Sequence, residues 1–470
     1  MANKLPTLGE DFEIWGHWWI PSDPEDKVAG RLTSKFGSLE LKLLHPFQAI
    51  NPHNQDAVVL VIHGVGGTKL FTLWDGIQIG CTIEAPGTVQ PIFRNMRVLV
   101  GGHLGRRNET TFDGMVLYGA NIGPWLGLQL VEQRCTTVQG SPIIEYRLSE
   151  RASKEFIVPS IGVRITVGGG FETNIEEFRA YGFKVFPSIH VAFDDSVDFQ
   201  KIQKLWESVA NFLSLTTGTE FVTERFTLEV NGGGENRNTY DLMVDHPLPE
   251  ETRMLKAWEV LVPLVAFGEE TVQIFDQWFS NSTEIRDSID LLLGNLQRRT
   301  LPLHIQLSTL CQALESFHRT TIGGGYITRE EFKKINKHMS ESIPQEIPSE
   351  LATAIRDRLR YSYEYSLRTR LSQLVGQFNR DNLEQLGINC DQFVGDVCKA
   401  RNDFTHWDAL AMHDDTELLN LVSRLNLVAR IILLRHFGID ENVVVRRALE
   451  NKHLYFQEWR SIPTDGVDCE

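Results

Sequence analysis

Apolar residues alternate with polar ones through much of the first half of the chain and shift to helical spacing in the second. Phe36-Gly-Ser-Leu-Glu-Leu-Lys-Leu-Leu44 alternates, and Ala57-Val-Val-Leu-Val-Ile62 is a short β-branched run suited to a buried strand. Strand-like segments recur at Arg97–Val100, Gly114–Tyr118, Ile143–Arg147, Val163–Val167 and Lys184–Val191, with Gly, Pro, Asn and Asp between them. Many short strands without amphipathic crossover helices predict a sandwich or barrel-like sheet. A helix over 198–215 is expected to pack on it. Phe226–Val230 and Tyr240–Val244 predict a late hairpin with a mobile tip at Gly232–Asn236.

From Glu250 the period changes. Met254, Trp258, Leu261, Leu264 and Val265 are spaced for a helix, and Val272, Ile274, Phe275 and Trp278 continue an apolar face. Helical segments then follow at 305–319, 348–363, 366–378, 390–404 and 415–437, with Thr328-Arg-Glu-Glu331 reading as a capping box. Short connections between them favour an antiparallel bundle. The fold class expected is α+β and multidomain. A β-rich domain with a helical end covers 1–285, and an all-α bundle covers 286–470.

At 470 residues the chain exceeds one ordinary core, which fits two domains. No apolar run is long enough for a membrane span, and Met-Ala-Asn-Lys opens no secretory signal, so a cytoplasmic protein is expected. Six scattered cysteines fit reduced thiols. A net charge of −16 argues against non-specific coating of nucleic acid but leaves room for a local basic surface.

Two motifs mislead. Val58-Val-Leu-Val-Ile-His-Gly-Val-Gly-Gly67 looks like a hydrolase strand and His-Gly loop, but no Gly-x-Ser-x-Gly elbow accompanies it. It reads instead as a strand ending in a glycine turn. Gly168–Gly170 reads as a loop. The histidines have no His-x-x-x-His or Cys-x-x-Cys partners, so neither a metal nor another cofactor is expected.

The chemistry concentrates at Lys399-Ala-Arg-Asn-Asp-Phe-Thr-His-Trp407. Phe393, Val394, Val397 and Cys398 mark the buried face of a helix nearing its end. Asn402 and His406 then share a face, and Arg401 lies about 140° from His406 on an ideal helix, a gap a long side chain can close. An imidazole that exchanges protons near neutral pH would sit beside a guanidinium that keeps its charge. Phosphodiester cleavage uses both, one for proton transfer and one for the phosphorane charge. Upstream, Arg356, Arg360, Arg368 and Arg370 interleave with Tyr361, Tyr363 and Tyr365. Those arginines are candidate RNA contacts, and an exposed helix with internal ion pairs explains them equally well.

Arg401-Asn402-x-x-x-His406 resembles the motif of HEPN ribonucleases, and Ala313-Leu-Glu-Ser-Phe-His-Arg319 resembles the first helix of their ApeA-like branch. Phe12-x-x-x-Gly-His-Trp-Trp-Ile-Pro21, Gly30-Arg-Leu32 and Gly37-Ser-Leu-Glu-Leu41 resemble the opening of the ApeA N-terminal domain. The resemblance implies an antiphage, abortive-infection endoribonuclease with a β-rich sensing or regulatory domain and a catalytic helical domain. It implies metal-independent attack by a ribose 2′-hydroxyl on RNA, with tRNA and its anticodon loop as the expected substrate. It also implies a homodimer or higher homo-oligomer and a phage trigger. Arg401, Asn402 and His406 are the implied catalytic set. The alternative is a non-catalytic HEPN module for RNA binding or dimerisation, joined to a ligand-sensing β-domain.

Overall fold

The alternating runs of the first half pair as antiparallel strands of one large sheet. A computed structural model describes residues 8, 10–50, 58–84, 88–94, 96–127, 131–138, 141–148, 153–176, 180–231, 237–245, 253–297, 301–406 and 415–455. The chain divides into two compact units, Met1–Asp276 and Gln277–Glu470.

The first unit begins with β1 (Phe12–Ile20), β2 (Asp23–Lys35), β3 (Ser38–Leu43), β4 (Val58–Gly66) and β5 (Lys69–Glu84). It continues with β6 (Thr88–Arg94), β7 (Arg97–Val100), β8 (Thr111–Gly119) and the short helix α1 (Ile122–Leu126). Then come β9 (Val131–Val138), β10 (Ser141–Leu148), β11 (Lys154–Val158), β12 (Val163–Glu176) and β13 (Ala180–Asp198). Helix α2 (Phe199–Thr217), β14 (Thr223–Asn231) and β15 (Arg237–Met243) complete the sheet region. Strand β5 has β4 along one edge and β7, then β6, along the other. The pairings β5–β4–β1–β2–β3–β6–β5 therefore close into a ring of six strands. Past β7 the sheet runs on as β15–β14–β8–β13–β12–β11, and β9 and β10 form a separate pair. Closure removes exposed edges from the ring, which is the barrel-like arrangement the alternation predicted.

Trp18, Val28, Leu32, Leu41, Ile62 and Phe93 on the ring strands are buried. Helix α2 covers the sheet with Phe199, Ile202, Leu205, Val209 and Phe212, one stripe at helical spacing. Asp198 caps it by accepting from the Lys201 amide at 2.8 Å. Phe199 then meets Trp74 edge-on, with ring centres 5.7 Å apart.

The hydrolase-like motif turns out to be architectural. Strand β4 ends in a tight hairpin to β5 through Gly67, whose φ of +60° suits glycine. Gly64 lies under the Trp18 ring, so that a Cβ there would overlap the indole. His63 is tied by Nε2 to the Leu104 carbonyl at 2.8 Å, and its ring stacks on His103 with centres 4.5 Å apart. Gly64→Ala should therefore destabilise the first unit by about 1–3 kcal/mol through overpacking. A thermal or denaturant midpoint unchanged from the parent would contradict this.

Three expectations need correction or fall outside the described residues. Gly168–Gly170 are not a loop but the middle of β12, paired with Ser188, Pro187 and Phe186 of β13. The long ladder overrides the weak strand propensity of glycine. Met254 to Val265 is not a helix but two 3-10 turns, Ala257–Glu259 and Leu264–Glu270, around an extended segment. Val260, Leu261 and Val262 are all fully buried there, and their run ends at Pro263. Consecutive burial and a proline without an amide donor are incompatible with one amphipathic helix. The tip Gly232–Asn236 lies outside the described residues.

Helix α3 (Thr271–Asn281) leads into α4 (Arg286–Gln297) and α5 (Leu303–Thr321). The second unit continues with α6 (Arg329–Glu341), α7 (Ser349–Leu359), α8 (Leu367–Val375) and α9 (Arg380–Gln385). It closes with α10 (Cys390–His406), α11 (Asp415–His436), α12 (Glu441–Glu450) and α13 (Lys452–Tyr455). Helix α5 is central, touching α4, α8, α10 and α11. Its Leu307, Leu310, Leu314 and Phe317 stripe is buried, as are Val394 and Val397 of α10 and Leu425, Val428 and Ile432 of α11. The 22-residue α11 stops at Gly438, whose φ is +86°. Among the described residues no helix is long and apolar enough to cross a membrane.

Candidate functional site

Burial of one side of α10 leaves Arg401 and Asn402 on its open side. Val394, Val397, Cys398 and Ala400 are buried, Arg401 is partly exposed and Asn402 is exposed. Arg401 Nη1 donates to Asn402 Oδ1 at 3.4 Å, so these two of the three expected catalytic residues are in direct contact. His406 is the last residue of α10; its side chain lies outside the described residues.

Helices α5 and α8 pack beside α10. Near the helix ends, His304 of α5 faces Phe404 of α10, with ring centres 5.6 Å apart. Arg368 of α8 lies over α10, its Nη1 3.7 Å from where a Cβ on Gly395 would sit. Burial raises the Cys398 thiol pKa, while the positive fields of Arg368 and Arg401 pull it down. Cys311 of α5 is pushed up to about 12, first by burial and then by the charges of Cys398 and Glu315, so it stays a thiol at neutral pH. Arg368, Arg401 and Glu315 thus bear on the same small region. A fork-shaped, partly exposed guanidinium with an amide beside it suits a tetrahedral anion. Among the described residues no cluster of three or more His, Cys, Asp and Glu side chains is arranged to hold a metal ion.

The four arginines proposed as RNA contacts separate. Arg356 and Arg360 are exposed on α7 and just beyond its end, and Arg368 is exposed beside α10. Arg370 is 0% exposed and cannot reach an RNA backbone in this arrangement. Residues two apart on a helix lie about 200° apart, so Arg368 and Arg370 face opposite sides of α8. Arg370 donates to the carbonyls of Tyr365, Gly323 and Gly324 at 3.1, 3.3 and 2.9 Å and to His318 Nδ1 at 3.1 Å.

Because arginine only donates, His318 Nδ1 must be the accepting nitrogen, and Nε2 donates to Gln373 Oε1 at 2.6 Å. Burial holds the His318 pKa below its ordinary 6.5; the Gln373 bond opposes this and the Arg370 charge adds to it. Its stabilising contribution is therefore complete above 6.5 and is lost as pH falls below that value towards the lowered folded pKa. Amide protection factors around 318–326, taken relative to the intrinsic exchange rate at each pH, should fall on acidification through this window, and His318→Gln should flatten the response. Identical pH profiles in parent and variant would rule the assignment out.

The chain is thus a strand-rich sheet followed by a helical bundle with this polar helix end, and the comparisons assign both parts. The family model for ApeA N-terminal domain 1 matches residues 13–278, and that for Apea-like HEPN matches residues 308–443. The chain belongs to the ApeA family. No curated protein and no solved structure matched it. The HEPN match runs from α5 to the start of α12 and contains Arg401, Asn402 and His406. Charge patterning could have revealed one feature missed in the sequence, the Arg329, Lys333 and Lys337 series on α6.

Proposed function

We propose that this chain is an antiphage, abortive-infection endoribonuclease acting in the cytoplasm, with tRNA, cut in the anticodon loop, as its substrate. In this reading residues 1–285 sense a phage trigger or restrain residues 286–470, which cleave RNA as a homodimer or higher homo-oligomer. The observation that supports it best is the Arg401–Asn402 contact at the exposed end of α10, with Arg368 alongside, inside the HEPN-matched segment. Arg401 would hold the scissile phosphate and meet the charge that grows on it. Asn402 would orient the imidazole or the phosphate by hydrogen bonds. His406 would transfer the proton. The 2′-oxygen bonds to phosphorus, the bond from phosphorus to the 5′-oxygen breaks, and the 2′-hydroxyl proton ends on that leaving oxygen. The products are a 2′,3′-cyclic phosphate and a 5′-hydroxyl, and no water is consumed.

Sequencing RNA ends from phage-infected cells carrying the parental or the His406→Ala chain tests this. The expected result is new tRNA ends of that chemistry with the parental chain alone. The net charge of −16 favours a second reading, a HEPN module that binds RNA or a second copy without cutting. RNA bound but left intact, in the presence and absence of infection, would support that reading instead.

A further inference from the structure

We infer that the α6–α7 arm is a phosphate-gripping surface for the RNA substrate, centred on Arg329, Lys333 and Lys337; this rests on the ribonuclease reading above. The arm leaves the bundle after Gly325 and returns at Tyr363. Its base is closed by Tyr326 N donating to Tyr363 O at 2.8 Å and Tyr365 N donating to Gly324 O at 3.1 Å. Among the described residues Phe332 alone is buried on α6 and Ala352 alone on α7. The Phe332 ring rests on Tyr363, with centres 5.2 Å apart. Nearly the whole surface of both helices is therefore open.

Arg329, Lys333 and Lys337 stand at i, i+4 and i+8 and so form one row on α6, each about 6 Å along the axis from the next. All three are exposed. Arg329 and Lys333 have no ion pair among the described residues, and Lys337 has one, to Glu341 at 3.8 Å, with both side chains largely in water. Such a pair is weak. The acids of α6 stand at its ends, where Glu331 is engaged by the Thr328 cap. A row of like charges on one helix face opposes helix formation, yet this row stands in a chain of net charge −16. An anionic polymer with regularly spaced charges relieves that repulsion along the whole row. Arg356 and Arg360, also four apart, add two exposed cations at the end of α7 and just past it. Tyr361, 58% exposed, lies under Arg360 at 5.6 Å and offers a face on which an unpaired base can stack.

The test uses the full chain carrying His406→Ala and measures binding of unfractionated tRNA by anisotropy between about 50 and 200 mM salt. Reversal of the row (Arg329→Glu, Lys333→Glu, Lys337→Glu) should weaken low-salt binding at least about tenfold. It should also make the slope of log affinity against log salt shallower by about 2–3, since each lost phosphate contact removes about 0.7–0.9. The charge-keeping variant (Arg329→Lys, Lys333→Arg, Lys337→Arg) should bind like its parent. Unchanged affinity and slope after reversal would overturn the arm, even if the parental chain cleaves tRNA. Row-dependent binding by a parental chain that never cleaves would leave the arm standing and remove the ribonuclease reading. If tRNA does not bind at all, both fail.

Discussion

Replacing Arg370 by alanine will destabilise the helical unit by about 3–5 kcal/mol, the range for stripping one partner from a buried charged network. The side chain is fully enclosed and serves three backbone carbonyls and one imidazole. Glu364 Oε2 lies 3.9 Å from its Nη2 and is held more closely by Arg319 at 2.7 Å. Alanine would leave the Gly323, Gly324 and Tyr365 carbonyls and His318 Nδ1 without their common donor, in a site too enclosed for bulk water to replace it. Lysine restores the charge but not the planar fork, so Arg370→Lys should recover only part of the loss. For a unit of this size the melting midpoint should fall by about 6–20 °C. Amide exchange should quicken first at 322–326 and 361–366, the two segments that Arg370 joins. A midpoint within about 2 °C of the parent, on the same scale, would mean the fork is dispensable.

That residue also shows where reading the chain stops being enough. Arg368 and Arg370 look alike in sequence, yet their spacing on one helix already says that both cannot face the same partner. Which one turns inward depends on His318 and the Gly323–Gly324 carbonyls, supplied by α5 and the loop after it. Local pattern did carry α5, α10 and α11, because one apolar face per helix is enough to place them in a bundle. It carried the barrel-like sheet through period-two alternation. It could not carry which strands meet: β1 pairs with β4 and β3 with β6 across intervening chain, and such choices depend on packing between distant residues. It missed the short α9 and α12, whose ends are held by Asn379 and Asp440 caps and by Glu441, which accepts from Asn379 N at 3.0 Å and Asn382 Nδ2 at 2.8 Å. At the site, the sequence placed Asn402 and His406 on one face with Arg401 reaching towards them, but not the Arg401–Asn402 contact that the structure shows. The approach of Arg368 to α10 was not legible either, since it needs the α8–α10 packing.

Single-residue changes at the end of α10 should separate charge from proton transfer. If the ribonuclease reading holds, His406→Ala will lower the single-turnover cleavage rate on tRNA by about 10²–10⁴-fold, the usual worth of a positioned acid or base. Arg401→Ala will lower it by about 10²–10³-fold, the loss expected when one preorganised donor to a growing oxyanion is removed. Arg401→Lys should fall between that variant and the parent, because an ammonium keeps the charge but cannot present two parallel N–H groups. Asn402→Ala removes only the 3.4 Å partner of Arg401, so its effect should be the smallest and should shrink further when Arg401 is already alanine. Affinity for tRNA should change little in any of the four, since phosphate contacts elsewhere carry most of the binding. Arg401 is partly exposed and Asn402 exposed, and the melting midpoint of each variant, measured beside its rate, separates lost chemistry from unfolding. Parental rates in both His406→Ala and Arg401→Ala would remove this helix end from the reaction and leave the HEPN unit as a binding module.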